Sequence, residues 1–240
     1  MSDLIRERFQ LKQTIVSIIA QEAVHAEAAK EVIKEQRKLL EDFIADDPFF
    51  MLTLEPYDLL AEDAPEIVKI MVDAGAAFGI GPMSAVAGTI AGFALEAMIE
   101  SGAAYAIVDN GGDVALVNDR PVHMGIYAGS SPISNLALEI PPRITPIGIC
   151  TSSGTVGPSI SFGCADAALV ISENVSLADA AATALGNAVA DDSSLEESFR
   201  AVDRPGVEGA LVIRGQELAL WGELPKIERA ALRPDLITRA

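Results

Sequence analysis

The sequence contains few of the residues that crosslink small secreted proteins or build transition-metal sites. Its 240 residues include two cysteines and two histidines. Cys150 and Cys164 are not spaced as C-x-x-C and have no histidine near them in the sequence. A disulfide scaffold and a zinc site are therefore poorly supported. Because the first residues also lack the basic and then apolar pattern of a signal peptide, we predict a cytoplasmic protein.

Basic residues are scarce as well, with 17 Lys and Arg against 35 Asp and Glu and a net charge of −18. Such a chain is repelled by nucleic acid and by anionic bilayers, so we expect neither as a partner. Between Ile144 and Phe199 there is no Lys or Arg, although four aspartates lie there. A site in this stretch would have to bind an anionic ligand through backbone amides and a metal ion.

One uncharged run, residues 74–95, is long enough to cross a bilayer. It contains five glycines and Pro82, and its apolar residues are mostly alanine. We therefore predict a break at 79–82 followed by a buried helix, and no membrane partner.

Half of the residues are hydrophobic, which is enough for a substantial core. Residue patterns predict strands at 6–20 (one or two), 103–108, 114–117, 122–127, 136–140, 147–151, 165–171, 209–213 and 218–221, with a short extended piece at 49–54. They predict helices at 22–45, from 64 to the glycines at 75 and 79, at 82–101, 177–189 and 194–202. Because strands and helices are segregated, we predict a single α+β domain. Residues 1–60 form its N-terminal strands and long amphipathic helix, and residues 61–240 carry the motifs.

Asp179, Thr183 and Asn187 are spaced i, i+4 and i+8 in a helix that is otherwise nearly all apolar. This spacing places them in one polar stripe. A carboxylate and a hydroxyl one turn apart suit Mg²⁺, which takes oxygen ligands. Alternatively, Ser176-x-x-Asp179 is a capping box, and Thr183 bonds back to its own helix.

Asp109-Asn110-Gly111-Gly112-Asp113 separates two predicted strands. Asn-Gly is a strong hairpin signal, because the turn needs positive φ angles. The hairpin does not require two flanking aspartates or the second glycine, and two glycines would also let a ligand approach the backbone. Both interpretations stay open from the residues.

Two further clusters suggest chemistry less strongly. Thr151-Ser152-Ser153-Gly154 contains possible nucleophiles, but no G-x-S-x-G motif is present and His25 and His123 lie far away in the sequence. Gly79-x-Gly81-Pro82 opens a helix whose first amides could hold a phosphate. Since no lysine accompanies these glycines, a tight turn is the better explanation for them. We expect His25 to be a surface residue on its helix.

Taken together, the blocks GPMSAVAG, IVDNGGDVAL, GICTSSGTVG and LADAAATA resemble the uncharacterised branch of the ApbE-like superfamily, from about residue 64 to 222. The best-known members of that superfamily are flavin transferases, which move FMN from FAD onto a protein threonine. The resemblance implies a T-fold-like single domain, mainly an antiparallel sheet with helices packed on it. It also implies Mg²⁺ on Asp179 and Thr183, which match a D-x-x-x-T block.

By the same resemblance, the flavin nucleotide would lie against two strand ends: Asn110, Gly111, Gly112 and Asp113 on one, and Thr151, Ser152, Ser153 and Gly154 on the other. Two departures concern the transfer reaction. The lysine-glycine pair of the transferases is replaced by Gly81-Pro82-Met83, and no histidine lies between Thr155 and Asp179 where they carry His-x-x-Asp-Pro.

The first hypothesis is therefore a pocket that binds FAD, FMN or another phosphorylated, nucleotide-type ligand with Mg²⁺. If the protein is an enzyme, it would be a metal-dependent transferase or hydrolase with Asp113 or Asp166 available for proton transfer. The alternative is a non-catalytic binding or assembly protein, a homo-oligomer in which small residues at 88–92 could form a dimer interface. A third hypothesis is a hydrolase that uses Ser152 or Ser153.

Overall fold

The computed structural model describes residues 4–155 and 162–230, which form two antiparallel sheets and a set of helices. The strands are β1 Ile5–Leu11, β2 Thr14–Ala20, β3 Ala106–Asn110, β4 Asp113–Asn118, β5 Val122–Ile126, β6 Leu136–Ile140, β7 Arg143–Ser152, β8 Ala167–Ser172, β9 Gly209–Arg214, β10 Glu217–Gly222 and β11 Lys226–Arg229. The helices are α1 Ala23–Asp46, α2 Phe49–Leu52, α3 Glu66–Ala77, α4 Val86–Glu100, α5 Val175–Ala188 and α6 Leu195–Ser198. Short 3₁₀ turns at Pro82–Ala85 and Phe199–Ala201 precede α4 and follow α6.

The larger sheet has eight strands in the order β1-β2-β3-β4-β7-β8-β9-β10, and every neighbouring pair is antiparallel. A second sheet has the order β11-β6-β5. Tight turns connect the hairpins, and the chain takes positive φ at the residues where they reverse: Lys12, Gly111, Gly112 and Gly215. This arrangement confirms the predicted α+β class with a mainly antiparallel sheet.

Both faces of the central strands are buried, and this explains their almost continuous apolar sequence. Alternate residues such as Val108, Ala115 and Val170 pack against the helices. The intervening residues, including Leu116 and Leu169, form a second apolar layer with β5 and β6 of the small sheet. The fold is therefore three layers: helices, large sheet and small sheet.

Helix α4 is the centre of the helical layer, since it contacts α1, α5, β3 and β4. With the 3₁₀ turn before it, it is the one helix of the described residues that is long and apolar enough to cross a membrane by composition. Half of its apolar window is buried inside the fold. It is thus packed as a core helix, and the predicted break lies at Gly79, where φ is +68°.

Residues 49–54, predicted to be extended, instead begin with the short helix α2. Proline disfavours a helical conformation in the residue before it, so Pro48 ends α1. Proline is well tolerated at a helix start, so α2 can begin directly after Pro48. Phe50 is fully buried and packs edge-to-face on Phe43 and Tyr57. This aromatic contact stabilises a helix that the local pattern does not show.

The expectation that His25 is a surface residue was wrong. Its side chain is buried, with Nδ1 2.7 Å from the hydroxyl of Ser101. The face of α1 that carries His25 packs on the end of α4, which the charged composition of α1 does not reveal. Strand β11 was also absent from the prediction, because its sequence KIER carries three charges in four residues.

The small residues at 88–92 contact α5 within the fold through Gly88 and Gly92. Gly88 is buried, and a methyl group there would lie 2.6 Å from the Asp179 Cβ. Gly92 faces Val175, which lies on α5 together with Asp179. The stripe therefore lets α4 and α5 pack closely, and Gly88 serves this internal contact, whereas Gly92 is half-buried.

Val175 is in close contact with two glycines, and the contacts differ in tightness. A methyl group on Gly148 of β7 would lie 2.7 Å from the Val175 Cα, closer than packed atoms approach, whereas one on Gly92 would lie at an ordinary 3.6 Å. We expect Gly148→Ala to lower the free energy of unfolding by about 1–3 kcal/mol through overpacking. Gly92→Ala is the matched control, neutral or stabilising by about 0.5–1 kcal/mol because alanine favours helix. Urea unfolding checks both, and equal effects of the two variants would contradict this account of the packing.

Candidate functional site

The turn between β3 and β4 presents its backbone at one end of the large sheet. Asn110 and Asp113 face each other across it, with Gly111 at φ +73° and Gly112 at φ +110° between them. The Gly112 amide donates to the Asp109 Oδ1 at 2.9 Å. The predicted hairpin therefore exists, and it accounts for both glycines, since L residues rarely take these φ values.

Asn110 attaches this turn to the start of α4. Its Nδ2 donates to the Ala87 carbonyl at 3.0 Å, and its side chain is buried. Residue 110 was predicted to contact a ligand, but the contact in this structure is internal. Asn110 thus fixes the position of the turn relative to the helical layer.

Helix α5 begins at a different cap from the one its sequence indicates. Asn174 is the N-cap, and its side chain accepts from the Leu177 amide at 3.0 Å. Since Asn174 caps the helix, the Ser176-x-x-Asp179 capping box does not explain Asp179. That residue lies beyond the first turn, and its side chain points to another helix.

The Asp179 carboxylate accepts hydrogen bonds from the first amides of α4. Its Oδ2 lies 2.7 Å from the Gly88 amide, and the Ala87 amide also donates to it. The helix dipole and unsatisfied amides at a helix start favour such an anion. Asp179 therefore joins α5 to α4 across the position where a side chain at Gly88 would clash.

Asp113, at the start of β4, is the second carboxylate of the site. Burial, followed by the charges of Asp179 and then Asp109, raises the pKa of Asp113 well above its usual range. The Cys150 thiol, which donates to the Val175 carbonyl at 3.7 Å, and the Thr151 amide act on this carboxylate in the opposite direction, to lower its pKa. Burial likewise raises the pKa of Asp179 to about 7, although the Gly88 and Ala87 amides oppose the shift.

The site therefore brings together two aspartates that are far apart in the sequence. No Lys or Arg contributes to either pKa among the residues that the structure describes. At neutral pH the pair either shares a proton or has two negative charges close together with little water around them. A divalent cation would stabilise the doubly ionised form.

The end of β7 lies beside the β3–β4 turn, as predicted. A methyl group on Gly112 would lie 3.8 Å from the Thr151 carbonyl oxygen. Beyond it, the Ser153 hydroxyl accepts from the Thr155 amide at 3.1 Å, and the Gly154 amide donates to the Ala165 carbonyl at 2.9 Å. The block GICTSSGTVG continues to residue 157, and its residues 156–157 lie outside the residues that the structure describes.

Asp166, the other carboxylate predicted to transfer a proton, accepts hydrogen bonds on both oxygens. Its Oδ1 accepts from the Thr155 hydroxyl at 2.9 Å, and its Oδ2 accepts from the Gly215 amide at 2.7 Å. Both oxygens are thus used to hold the β9–β10 turn against the loop after β7. Its role in this structure is architectural, which leaves Asp113 as the carboxylate beside Asp179.

The residues fit a divalent cation only in part. Thr183 is half-buried one turn after Asp179, so its hydroxyl and one Asp179 oxygen could serve as ligands, with Asp113 nearby. Asn187 does not extend the set, because its Oδ1 accepts from the Phe162 amide at 2.9 Å. Within residues 4–155 and 162–230, no group of three or more His, Cys, Asp and Glu side chains surrounds a metal position. A cation there would complete its shell with water or ligand oxygens, as Mg²⁺ commonly does.

Among the described residues, both histidines are engaged away from Ser152 and Ser153. Nδ1 of His123 lies 2.6 Å from the Glu228 carboxylate on the small sheet, and Nδ1 of His25 is hydrogen-bonded to the Ser101 hydroxyl. Gly81 is also explained without a ligand: its amide donates to the Leu54 carbonyl at 2.9 Å, and a methyl group there would overlap the Thr53 oxygen. The serine-hydrolase and helix-start phosphate hypotheses therefore lose their support.

A family model described as "AbpE bacteria" matches residues 2–202. A UPF0280 protein of Methanothrix thermoacetophila is 60% identical over 236 residues, which cover 98% of this chain and 100% of the relative. A UPF0280 protein of Methanosarcina barkeri is 59% identical over 238 residues, with 98% and 94% covered.

Solved structures with the same fold have little sequence in common with this chain. The apo form of the flavinyl transferase ApbE from Pseudomonas stutzeri superposes with a TM-score of 0.60 at 14% identity, covering 90% of this chain and 94% of that one. The apbe protein of Thermotoga maritima gives 0.57 at 14% identity, covering 99% and 100%. At such identities the likeness establishes the fold.

The raised pKa of Asp179 makes stability depend on pH in a defined direction. Folded Asp179 keeps its proton up to about pH 7, against an ordinary pKa of 3.8. The folded state therefore binds more protons than the unfolded chain between these values. Stability falls as the pH rises through them, because Asp179 ionises in the unfolded chain while it stays protonated in the folded state. In the absence of divalent cations, we expect wild type to lose about 2–4 kcal/mol over this interval relative to Asp179→Asn, which cannot ionise.

Urea unfolding of both proteins at several pH values, with EDTA, measures this difference. Asp192→Asn, which removes an exposed carboxylate of the same region, is the control and should keep a constant offset from wild type. A difference between wild type and Asp179→Asn that is independent of pH would show that Asp179 ionises normally.

Proposed function

This chain belongs to the family described as "AbpE bacteria" and is a UPF0280 protein, and we propose that it binds a phosphorylated, nucleotide-type ligand of the flavin class together with a divalent cation. The ligand would lie between the β3–β4 turn, the end of β7 and the face of α5 that carries Asp179 and Thr183. FAD and FMN are the first candidates, because the structural relatives are flavin transferases by name.

The observation that carries this proposal is the convergence of Asp113 and Asp179 without a cation. Buried carboxylates raise each other's pKa when no positive charge compensates them. Natural proteins keep such pairs mainly where they do chemistry or bind a metal. A cation on Asp179 and Thr183 would neutralise the pair and attract the phosphates of a ligand that the chain, with net charge −18, would otherwise repel.

The surrounding residues would bind the ligand through the backbone. Gly111 exposes its peptide group at the turn, and Thr151, Ser152 and Ser153 add hydroxyls at the adjacent strand end, whereas the Gly112 and Gly154 amides are engaged within the fold. Since Asn110 and Asp109 are engaged in holding the turn, they would orient these groups and not contact the ligand directly. Phosphate binding without Lys or Arg depends on such amides together with a metal.

When bound, the cation would polarise a phosphoryl oxygen of the ligand. Asp113 is the group of this chain that could hold or accept a proton beside it. Burial and the charge of Asp179 raise the pKa of Asp113, and a cation bound beside it would favour release of its proton. If the site is catalytic, the reaction would be a metal-dependent transfer or hydrolysis at phosphorus.

Binding without flavin transfer is the second candidate function. It is favoured by the sequence between residues 155 and 179, which has neither a histidine nor a cation. Protein flavinylation needs a group that activates the acceptor hydroxyl, and within the described residues both histidines are engaged elsewhere. Ligand binding is common to both functions, whereas transfer of FMN from FAD to an acceptor threonine would distinguish them.

Isothermal titration of the intact chain with FAD and FMN, with Mg²⁺ or EDTA, tests the proposal. We expect binding that needs Mg²⁺ and weakens at least about tenfold in Thr183→Val, which keeps the shape of threonine and removes the hydroxyl ligand. Asp179→Ala should abolish binding, although it also removes the contact to Gly88. Asp192→Asn is the matched control and should bind as wild type does.

A melting curve of each variant separates loss of the site from loss of the fold. Failure of both flavins to bind folded wild type under either condition would refute the flavin part of the proposal. Mg²⁺ that leaves the melting temperature of wild type and Thr183→Val unchanged would refute the cation part.

A further inference from the structure

Five large apolar side chains between residues 49 and 59 are exposed. They are Phe49, Met51, Leu52, Leu54 and Leu59, and each has between 50% and 71% of its surface open to solvent. We call this set the apolar surface. Scattered exposed leucines are ordinary in proteins, but five large exposed apolar side chains within eleven residues concentrate apolar surface in one segment, which is typical of an interaction site.

The apolar surface is presented on a rigid support. Phe50 and Tyr57, which alternate with the exposed residues, are buried in the aromatic cluster with Phe43. The Tyr57 hydroxyl donates to the Asp47 carboxylate, and the Asp47 Oδ1 accepts from the Phe49 amide at 3.0 Å. The segment is thus held in place by buried aromatic rings. Of the five exposed side chains, Phe49 contacts the Tyr57 ring, with centroids 6.3 Å apart.

The same segment also packs against the start of the helical layer. The Leu54 carbonyl accepts from the Gly81 amide, and Gly81 contacts the Thr53 carbonyl so closely that no side chain fits. The chain then continues through the 3₁₀ turn into α4, whose first amides hold Asp179. The apolar surface is therefore built on the element that leads to the candidate site.

The charge around the apolar surface is of one sign. No Lys, Arg or His occurs between Lys38 and Lys69, whereas nine Asp and Glu lie there. Five of them flank the surface with exposed side chains: Asp46, Glu55, Asp58, Glu62 and Asp63. None of these five forms an ion pair within the part of the chain that the structure describes. The result is an apolar centre with an uncompensated acidic rim.

We propose that the apolar surface binds a cationic amphipathic helix of another protein, with apolar residues on one face and Lys or Arg on the other. The apolar centre would bury the partner's apolar face, and the acidic rim would pair with its cations and direct its approach. The charge distribution argues against a second copy of this surface, which would bring two acidic rims together. It argues equally against an anionic bilayer.

Fluorescence anisotropy of the full chain with labelled synthetic peptides tests this inference. The probe is a helical peptide of Leu and Lys in which the leucines form one face. One control peptide replaces each Leu by Ser and so retains only the charge, and another replaces each Lys by Glu. We expect binding of the Leu/Lys peptide alone, weakened by salt as charge pairing requires.

Leu52→Ser/Leu59→Ser should weaken that binding at least about tenfold, because a few central apolar residues dominate such interfaces. Leu218→Ser/Leu220→Ser, which changes two exposed leucines on β10, is the matched control and should leave it unchanged. All four side chains are exposed, so the variants should fold as wild type does.

Several outcomes would overturn the inference. They are equal affinity for the Ser/Lys peptide, equal affinity for the Leu/Glu peptide, or no effect of Leu52→Ser/Leu59→Ser. Dimerisation, or binding to phosphatidylcholine vesicles, that is lost in Leu52→Ser/Leu59→Ser would assign the surface to a different occupant. None of these measurements involves a flavin or Mg²⁺, so the result is independent of the proposed function.

Discussion

The hydrogen bonds from the Ala87 and Gly88 amides to Asp179 determine how the helical layer meets the large sheet. They place the start of α4 against α5, and Asn110 then attaches the β3–β4 turn to the same point through the Ala87 carbonyl. Gly88 permits the contact because any larger residue would overlap Asp179. A buried carboxylate that is bonded to amides but not paired with a cation costs stability when it ionises. The packing of two helices alone therefore does not explain why a carboxylate occupies position 179.

This constraint connects the fold to the candidate site. The strand order places β4 between β3 and β7, so Asp113 at the start of β4 lies beside the end of β7 and beneath α5. The chain thus gathers a glycine turn, a hydroxyl-rich strand end and two carboxylates at one end of the sheet. Metal and phosphate ligands are bound by such groups in proteins.

Much of this could be predicted from the sequence, because local patterns encode it. The apolar runs of β6 and β8 and the Asn-Gly turn specify strands and a hairpin directly. The four long helices α1, α3, α4 and α5 were found close to their limits. The tertiary roles could not be found in this way. Asp179 matches a capping box, yet its partner is 91 residues earlier in the sequence. The sequence offered Asp166 as a proton-transfer residue, but in the structure its carboxylate accepts a hydrogen bond from the backbone amide of Gly215 on a distant hairpin. Gly88 was assigned to a dimer interface, but its close neighbour is Asp179 of the same chain. A glycine in a helix indicates a close contact without identifying the residue that makes it.

The central claim is that Asp113 and Asp179 form one electrostatic unit that a divalent cation completes. Carbon-13 NMR of the aspartate carboxyl groups during a pH titration, with and without Mg²⁺, measures it at the atoms concerned. The account predicts that Asp179 titrates near pH 7 without the cation, that Asp113 titrates well above the usual range, and that Mg²⁺ lowers both values. Two carboxyl groups that titrate normally and do not respond to Mg²⁺ would contradict it.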